Sequence, residues 1–192
     1  MELDERKWDE PQWVAVYTHA RAEKRLAENL TKHGFETYLP LHRQLHKWSD
    51  RKKWVEVPLF SSYVFVKIIG KQVAPLRDTD GVVYIVNFGN SRSIAWIPQK
   101  EIDNLRRLME SEQEFVVKNA QQLKRGSKVK ILSGAMEGME GVLVSDCEDG
   151  NFAVEVTSLS ASIVWKLEIQ EDMLEYIEDD KSKKKGIWEK KK

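Results

Sequence analysis

The sequence predicts an α+β fold, in which an antiparallel sheet with covering helices is linked to a small β-barrel. Four bulky, strand-like runs and two amphipathic helical patterns occupy residues 12–110. From residue 123 onward, short strands alternate with Gly, Ser and Asp turns, and no helical period stands out. Closely spaced short strands of this kind are typical of a small barrel. The intervening residues 111–122 are predicted to form a linker.

Composition limits the class of protein. The chain has 192 residues, of which 41% are hydrophobic and 32% charged, with a formal net charge of zero. This length predicts one or two domains. No apolar run approaches the roughly 20 residues that span a bilayer. The acidic N-terminus is unlike a secretory signal. A single cysteine, Cys147, argues against an internal disulfide or a cysteine-rich zinc site. We therefore expect a cytoplasmic protein.

The first elements follow from residue periodicity. Residues 13–20 begin with a bulky, strand-like run. In residues 21–34, Ala22, Leu26 and Leu30 recur every four positions, which predicts one apolar face of a helix. The glycine that ends this segment is a typical helix stop.

The rest of the first region alternates between strands and one helix. Strands are predicted over 35–41, 59–69 and 81–89, with a hairpin at 46–57 and an amphipathic helix at 98–110. Both helices are expected to cover one face of the sheet. The opposite, aromatic face would then mark a partner site, unless the hairpin or a loop folds over it.

The second region carries a recognisable glycine pattern. Four glycines punctuate two predicted strands, 129–132 and 141–144. This strand-loop-strand pattern resembles the KOW motif of SH3-like barrels, and the barrel is predicted over 123–177. Residues 178–192 lack an apolar period and are predicted to be a disordered charged tail. Residues 1–11 are predicted to be an N-terminal extension.

Three blocks in the first region resemble, in order, the N-terminal (NGN) domain of NusG proteins. They are "WVAVYTHARAEKRLAENL" from residue 13, "PLFSSYVFV" from residue 58 and "TDGVVYIVNFG" from residue 79. An NGN domain over 12–110, a linker and one KOW domain would reproduce the NusG architecture. The segment "WSDRKKWVEVPLFSSYVFV" is most similar to the specialised paralogues, RfaH and especially the UpxY antiterminators.

The resemblance implies a transcription antitermination or elongation factor. Its NGN domain would bind the clamp helices of RNA polymerase and promote processive elongation, here of specific polysaccharide operons. Such a factor is expected to be a monomer without enzymatic activity or a cofactor. Two alternatives remain open: a housekeeping NusG, which would bind the Rho helicase, and a KOW-containing ribosome-associated or RNA-binding protein, which would show salt-dependent RNA affinity.

Aromatic residues are the predicted polymerase contacts. Side-chain alternation places Tyr63 and Phe65 on one face of their strand. Phe60 has the opposite parity and joins that face only if Ser61 and Ser62 form a bulge. The alternative is that these are core residues. By the resemblance, the polymerase-binding residues are Tyr17, Phe60, Tyr63, Phe65 and Phe88.

Two groups of residues are predicted to contact nucleic acid, such as the non-template DNA strand. The resemblance implies the first group, which lies at the turn between the first strand and the first helix and at a neighbouring position. The second group lies around the tip of the hairpin. Residues 12–58 contain nine Lys or Arg and five Asp or Glu. The alternative is an ordinary solvated face. The candidates are His19, Arg21, Lys24, Arg25, Lys47, Arg51, Lys52, Lys53, Arg77 and Thr79.

The KOW domain is expected to bind a second partner, a ribosomal protein or Rho. NusG proteins typically carry Phe-Gly-Arg where this chain has Leu159, Ser160 and Ala161. Leu159 is the remaining candidate anchor.

Catalysis and metal binding are not indicated. His42 and His46 are four residues apart, but in a strand-like region this spacing does not make a zinc pair, and no third ligand is evident. The sequence lacks a P-loop or G-x-S-x-G motif.

Overall fold

The computed structural model describes most of the first region and selected strands of the second. The described residues are 9–47, 52–88, 93–110, 115–119, 125–132, 137–144, 151–156, 161–166 and 174–178. The chain divides into two compact units, Met1–Asp103 and Asn104–Lys192. Most of the predicted N-terminal extension and nearly all of the predicted tail lie outside the described residues.

The first unit alternates strands with short helices. In chain order the elements are β1 (Gln12–Tyr17), α1 (Glu23–Lys32), β2 (Glu36–Tyr38), β3 (Leu41–Lys47), β4 (Lys52–Pro58), β5 (Tyr63–Ile68), α2 (Val73–Arg77), β6 (Tyr84–Ile85), β7 (Trp96–Ile97) and α3 (Gln99–Glu110). Helix α3 begins in the first unit and continues into the second. An antiparallel sheet has the order β2-β5-β1-β6, with β7 also paired to β1. This confirms a mixed α+β fold with an antiparallel sheet.

Strand alternation divides this sheet into two faces. Val14 and Val16 of β1 lie opposite Val66 and Val64 of β5 in the ladder. These four side chains are fully buried, in one cluster with apolar residues of both α1 and α2. Helix α1 buries this face because its apolar positions recur at the helical period, and α2 adds Val73 and Leu76. The rest of the cluster is Leu26, Leu30, Phe35, Ile68, Val73, Leu76 and Ile85.

The second predicted helix begins on the other face, which corrects the expectation that both would share one. Trp13 points away from the valine face, and its indole Nε1 donates to Oε1 of Gln99, the first residue of α3, at 2.8 Å. Trp13, Ala15 and Phe65 are fully buried. The aromatic face is therefore partly covered at the Trp13 end, and the start of α3 lies on this side of the sheet.

Local backbone geometry accounts for most shifted boundaries. Arg21 adopts a left-handed φ of 65°, so α1 begins at Glu23 rather than at residue 21. Gly34 has a φ of 83° after the last turn of α1, in agreement with the predicted stop. Ser62 has a φ of 69°, so β5 begins at Tyr63 rather than residue 59.

Helix α2 was not predicted. It spans only five residues after a 3-10 turn at Gly70–Gln72. Its apolar residues, Val73 and Leu76, are three apart, and a segment this short shows no sustained period. The predicted strand at 81–89 is also shorter in the structure, where only Tyr84–Ile85 forms β6.

The predicted hairpin is confirmed and longer than expected. Strands β3 and β4 pair antiparallel from Leu41↔Pro58 to Lys47↔Lys52. They form a two-stranded sheet separate from the five-stranded one; we call it the ribbon. Its tip, residues 48–51, lies outside the described residues.

The second unit is an antiparallel sheet. Its strands are β8 (Phe115–Asn119), β9 (Arg125–Ile131), β10 (Glu140–Val144), β11 (Asn151–Val156), β12 (Ala161–Lys166) and β13 (Leu174–Glu178). Their order is β13-β9-β10-β11-β12-β8. The predicted strand-loop-strand pattern corresponds to the β9–β10 pair. Residues 111–122, predicted as a linker, contain β8, which pairs with β12. No pairing among the described residues closes the sheet, so an SH3-like barrel stays a prediction.

Candidate functional site

Three tyrosines meet on the less covered part of the aromatic face. Tyr17 of β1 lies opposite both Tyr63 of β5 and Tyr84 of β6 in the ladders. The rings of Tyr17 and Tyr63 meet edge to face, with their centroids 5.4 Å apart. The rings of Tyr17 and Tyr84 stack, with their centroids 4.8 Å apart. Tyr17 and Tyr63 are half-buried, whereas Tyr84 is 47% exposed. We call these three residues the tyrosine cluster.

Two phenylalanines lie beside the tyrosine cluster. Phe65, two residues after Tyr63 on the same face of β5, is fully buried. Its ring contacts Phe60 edge to face at 5.9 Å and lies 6.2 Å from the ring of Tyr38. Phe60 reaches this face because it lies in a turn before β5, where Tyr63 N–H donates to the Phe60 carbonyl. Phe60 is only 6% exposed.

A buried carboxylate fixes that turn. Glu23, the first residue of α1, is 5% exposed, and its Oε1 accepts a hydrogen bond of 2.7 Å from the backbone N–H of Ser62. The carbonyl of Ser62 in turn accepts from the N–H of Thr18. These bonds join the start of α1, the end of β1 and the left-handed residue that precedes Tyr63. They hold β5 in the position that brings Tyr63 to Tyr17.

Its place in the tyrosine cluster also makes Tyr63 a weaker acid. Burial raises the pKa of Tyr63 above its ordinary value, and the charge and side-chain hydrogen bond of Tyr84 and the charge of Tyr17 raise it further. Tyr63 therefore remains a neutral phenol at physiological pH. An uncharged, half-buried aromatic surface is suited to apolar contact with a partner and to hydrogen bonds from phenol groups at its edge.

The structure assembles four of the five predicted polymerase-binding residues on one face. Tyr17 and Tyr63 are accessible, while Phe60 and Phe65 are buried and support the face from within. Phe88 is 64% exposed but lies beyond the end of β6. The sequence analysis missed Tyr84, although Tyr84 is an aromatic residue within a predicted strand. The β1–β6 register is the non-local information that places it beside Tyr17.

The predicted cations at the strand-to-helix turn are accessible. His19, Arg21, Lys24 and Arg25 are all exposed. Glu23, the acidic residue beside Lys24, does not share this exposed surface, because it is buried and bonded to Ser62.

A neighbouring segment approaches the same turn. The backbone carbonyls of Asp80 and Gly81 accept hydrogen bonds from Asn29 of α1 and from Thr18. Arg77 in this segment is exposed. Thr79 is buried, and its hydroxyl donates to the Pro75 carbonyl, which gives it a structural role at the end of α2.

The structure describes some of the predicted nucleic-acid contacts on the ribbon. Lys52 and Lys53 are exposed on β4, where they lie opposite Lys47 and His46. The described residues do not include the side chain of Lys47, nor Arg51 and Leu159.

Within the described part of the chain, no group of three or more His, Cys, Asp or Glu residues could hold a metal ion. None of the described helices is long and apolar enough to cross a membrane.

Comparisons with known proteins give a family match and similar solved structures. The model of one family, described as "Transcription termination factor nusG", matches residues 11–106. A structure titled "Domain interaction in Thermotoga maritima NusG" is similar, with a TM-score of 0.48 and 22% identity, over 88% of this chain and 98% of that one. The "MjSpt4:Spt5 complex" gives a TM-score of 0.28 and 15% identity, over 87% and 99%. None of the curated proteins compared matches the sequence.

A five-stranded antiparallel sheet with helices α1 and α2 on one face and an accessible tyrosine cluster on the other defines a small α+β domain. The family match covers half of the chain and includes nearly all of this domain. The chain belongs to the NusG family of transcription factors, which are not enzymes.

Proposed function

We propose that this protein is an elongation factor that docks on the clamp helices of RNA polymerase through the tyrosine cluster and promotes processive transcription. The observation that supports the dock is the arrangement of Tyr17, Tyr63 and Tyr84 in contact with one another on one sheet face. Aromatic residues that are accessible and rigidly supported are favoured anchors in protein interfaces. Phe60 and Phe65 give that support, since both are buried beside the cluster.

The burial of Phe65 decides how this dock is tested. Truncation of Phe65 would open a cavity in the core, which typically costs about 3–5 kcal/mol, so lost binding would not be distinguishable from unfolding. Tyr17 and Tyr84 are better targets because both retain exposed surface. Trp54→Ala is the matched control, because Trp54 is an exposed aromatic residue on the ribbon.

The experiment measures binding of the full chain to core RNA polymerase. Tyr17→Ala combined with Tyr84→Ala is expected to weaken binding at least tenfold, as removal of interface anchors of about 2 kcal/mol would. The thermal midpoint of each variant is measured alongside. Unchanged polymerase affinity in a folded double variant would contradict the proposed dock.

The turn at the start of α1 is proposed to contact the non-template DNA strand. His19, Arg21, Lys24 and Arg25 are exposed together, and cations in this arrangement can hold phosphates. The Asp80–Gly81 backbone packs against the same turn, which supports a contribution from exposed Arg77. Lys24→Gln and Arg25→Gln are expected to weaken crosslinking to non-template DNA in an elongation complex while polymerase binding persists.

We further propose an operon-specific antiterminator of polysaccharide operons rather than a general factor. The hairpin sequence and the Leu159-Ser160-Ala161 segment support this choice. Mapping of the protein across the genome tests it. Occupancy at a few operons is expected, and uniform occupancy of all transcribed genes would favour a housekeeping NusG.

A further inference from the structure

The distal half of the ribbon is accessible on both of its faces. Gln44 and Leu45 are neighbours in β3 and therefore point to opposite faces, yet both are exposed. The same holds for Lys53 and Trp54 in β4. Toward the base the exposure falls, and Leu59 is buried. The ribbon thus leaves the body of the domain as two paired strands in water.

Trp54 is unusual in this setting. It is 63% exposed, and its register partner Leu45 is 38% exposed. A two-stranded hairpin is marginally stable by itself, and little of the indole surface is buried to support it. A large exposed ring of this kind is therefore better explained by a ligand than by packing within the chain.

The charges around Trp54 indicate the ligand. Lys52 lies two residues before Trp54 on the same strand face, and Arg43 lies diagonally across the ladder. Diagonal partners in a ladder are about 7–8 Å apart, within reach of long side chains. Both cations are exposed, as is Lys53 on the opposite face. Glu56, opposite Arg43, is the acidic residue described on this face. The face combines one flat ring with an excess of positive charge.

We propose that this ribbon face binds single-stranded nucleic acid, with one base stacked on Trp54 and the phosphates on either side held by Lys52 and Arg43. Aromatic rings flanked by cations are the usual platform for single strands, because every base has a π-face. A duplex does not offer such a face, since its bases are stacked on each other. The site involves neither the tyrosine cluster nor polymerase, so it can hold or fail independently of the proposed dock.

The test uses two labelled 15-nucleotide probes, oligo-dT and an abasic strand of equal charge, with the full-length protein and no polymerase. Fluorescence anisotropy is recorded at several salt concentrations. The wild type is expected to bind oligo-dT more tightly than the abasic strand. Trp54→Ala is expected to weaken oligo-dT binding about tenfold and leave the abasic strand unaffected, while Trp54→Phe keeps most of the affinity.

Charge variants test the phosphate contacts separately. Lys52→Gln is expected to weaken both probes and to reduce the slope of log affinity against log salt by about 0.7 for one lost contact. Glu56→Gln, the matched control of opposite sign, is expected to strengthen both. Tyr84→Ala removes an exposed aromatic residue elsewhere and is expected to change neither.

Three outcomes would overturn the proposal. The first is no oligo-dT binding by the wild type up to about 100 μM at low salt, a range in which non-specific binding is normally detected. The second is equal loss of both probes in a folded Trp54→Ala variant, which would indicate a change in the ribbon's shape. The third is a Trp54→Ala variant that binds oligo-dT as tightly as the wild type but no longer binds a protein partner. That result would make the ribbon face a protein-binding surface.

Discussion

The sheet face and the ribbon face both present aromatic residues, but they are built in different ways. On the sheet, Phe65 is fully buried and contacts Phe60, so the tyrosine cluster rests on packed side chains. On the ribbon, Trp54 and Leu45 are exposed and are held by one pair of strands. A packed support fixes the shape of a surface before a partner arrives, which reduces the entropy lost on binding.

The largest expected effect contrasts the two regions directly. Phe65→Ala should lower the free energy of unfolding by about 3–5 kcal/mol, because it leaves a cavity in a packed core. Trp54→Ala should change it by less than about 0.5 kcal/mol, as is usual at exposed positions. Urea unfolding of both variants measures the difference. Similar losses in the two variants would mean that the ribbon is as integral to the fold as the sheet.

The second effect concerns the carboxylate that supports the sheet face. Glu23→Ala should destabilise by about 1–3 kcal/mol, since it leaves the buried Ser62 N–H without its acceptor. Glu23→Gln keeps an acceptor oxygen and should recover part of the loss. Unfolding curves give the energies, and polymerase affinity reports the position of Tyr63. A Glu23→Ala variant as stable as the wild type would show that this bond is dispensable.

A smaller effect is expected within the ribbon. The Leu45–Trp54 pair faces across the ladder, and such pairs contribute roughly 0.2–1 kcal/mol. Leu45→Ala should therefore speed amide hydrogen exchange in β3 and β4 by a few-fold and leave exchange in β1 and β5 unchanged. Equal acceleration in both sheets would show that the ribbon opens only together with the core.

The smallest effect is a titration. The pKa of Tyr63 is raised in the folded state by burial and by its neighbours Tyr84 and Tyr17. The stability that this shift contributes is therefore fully present below the ordinary tyrosine pKa of about 10. It is lost as the pH rises through the raised pKa of Tyr63 in the folded protein. Tyr63→Phe should remove this part of the alkaline decline and one late-titrating phenol in an ultraviolet titration. An unchanged titration would assign the late phenol to another tyrosine.

The comparison also shows which residues sequence reasoning could place. Val14, Val16, Val64 and Val66 form a buried face that follows from strand alternation. Side-chain alternation also predicts that Tyr63 and Phe65 lie on one face. It could not separate their roles, because exposure depends on what covers a face. Phe65 is fully buried while Tyr63 is half-buried, two residues apart on the same strand face.

The sequence by itself determined the local features: the strands, the apolar stripe of α1, the stop at Gly34 and the hairpin. These depend on side-chain period and backbone preference over a few residues. The tertiary structure decided features that depend on distant partners. It placed the start of α3 on the aromatic face, added Tyr84 to the cluster and buried Glu23 against Ser62, 39 residues away. Glu23 is one more charge on a polar helix until a long-range hydrogen bond compensates its burial, and no local pattern records that bond.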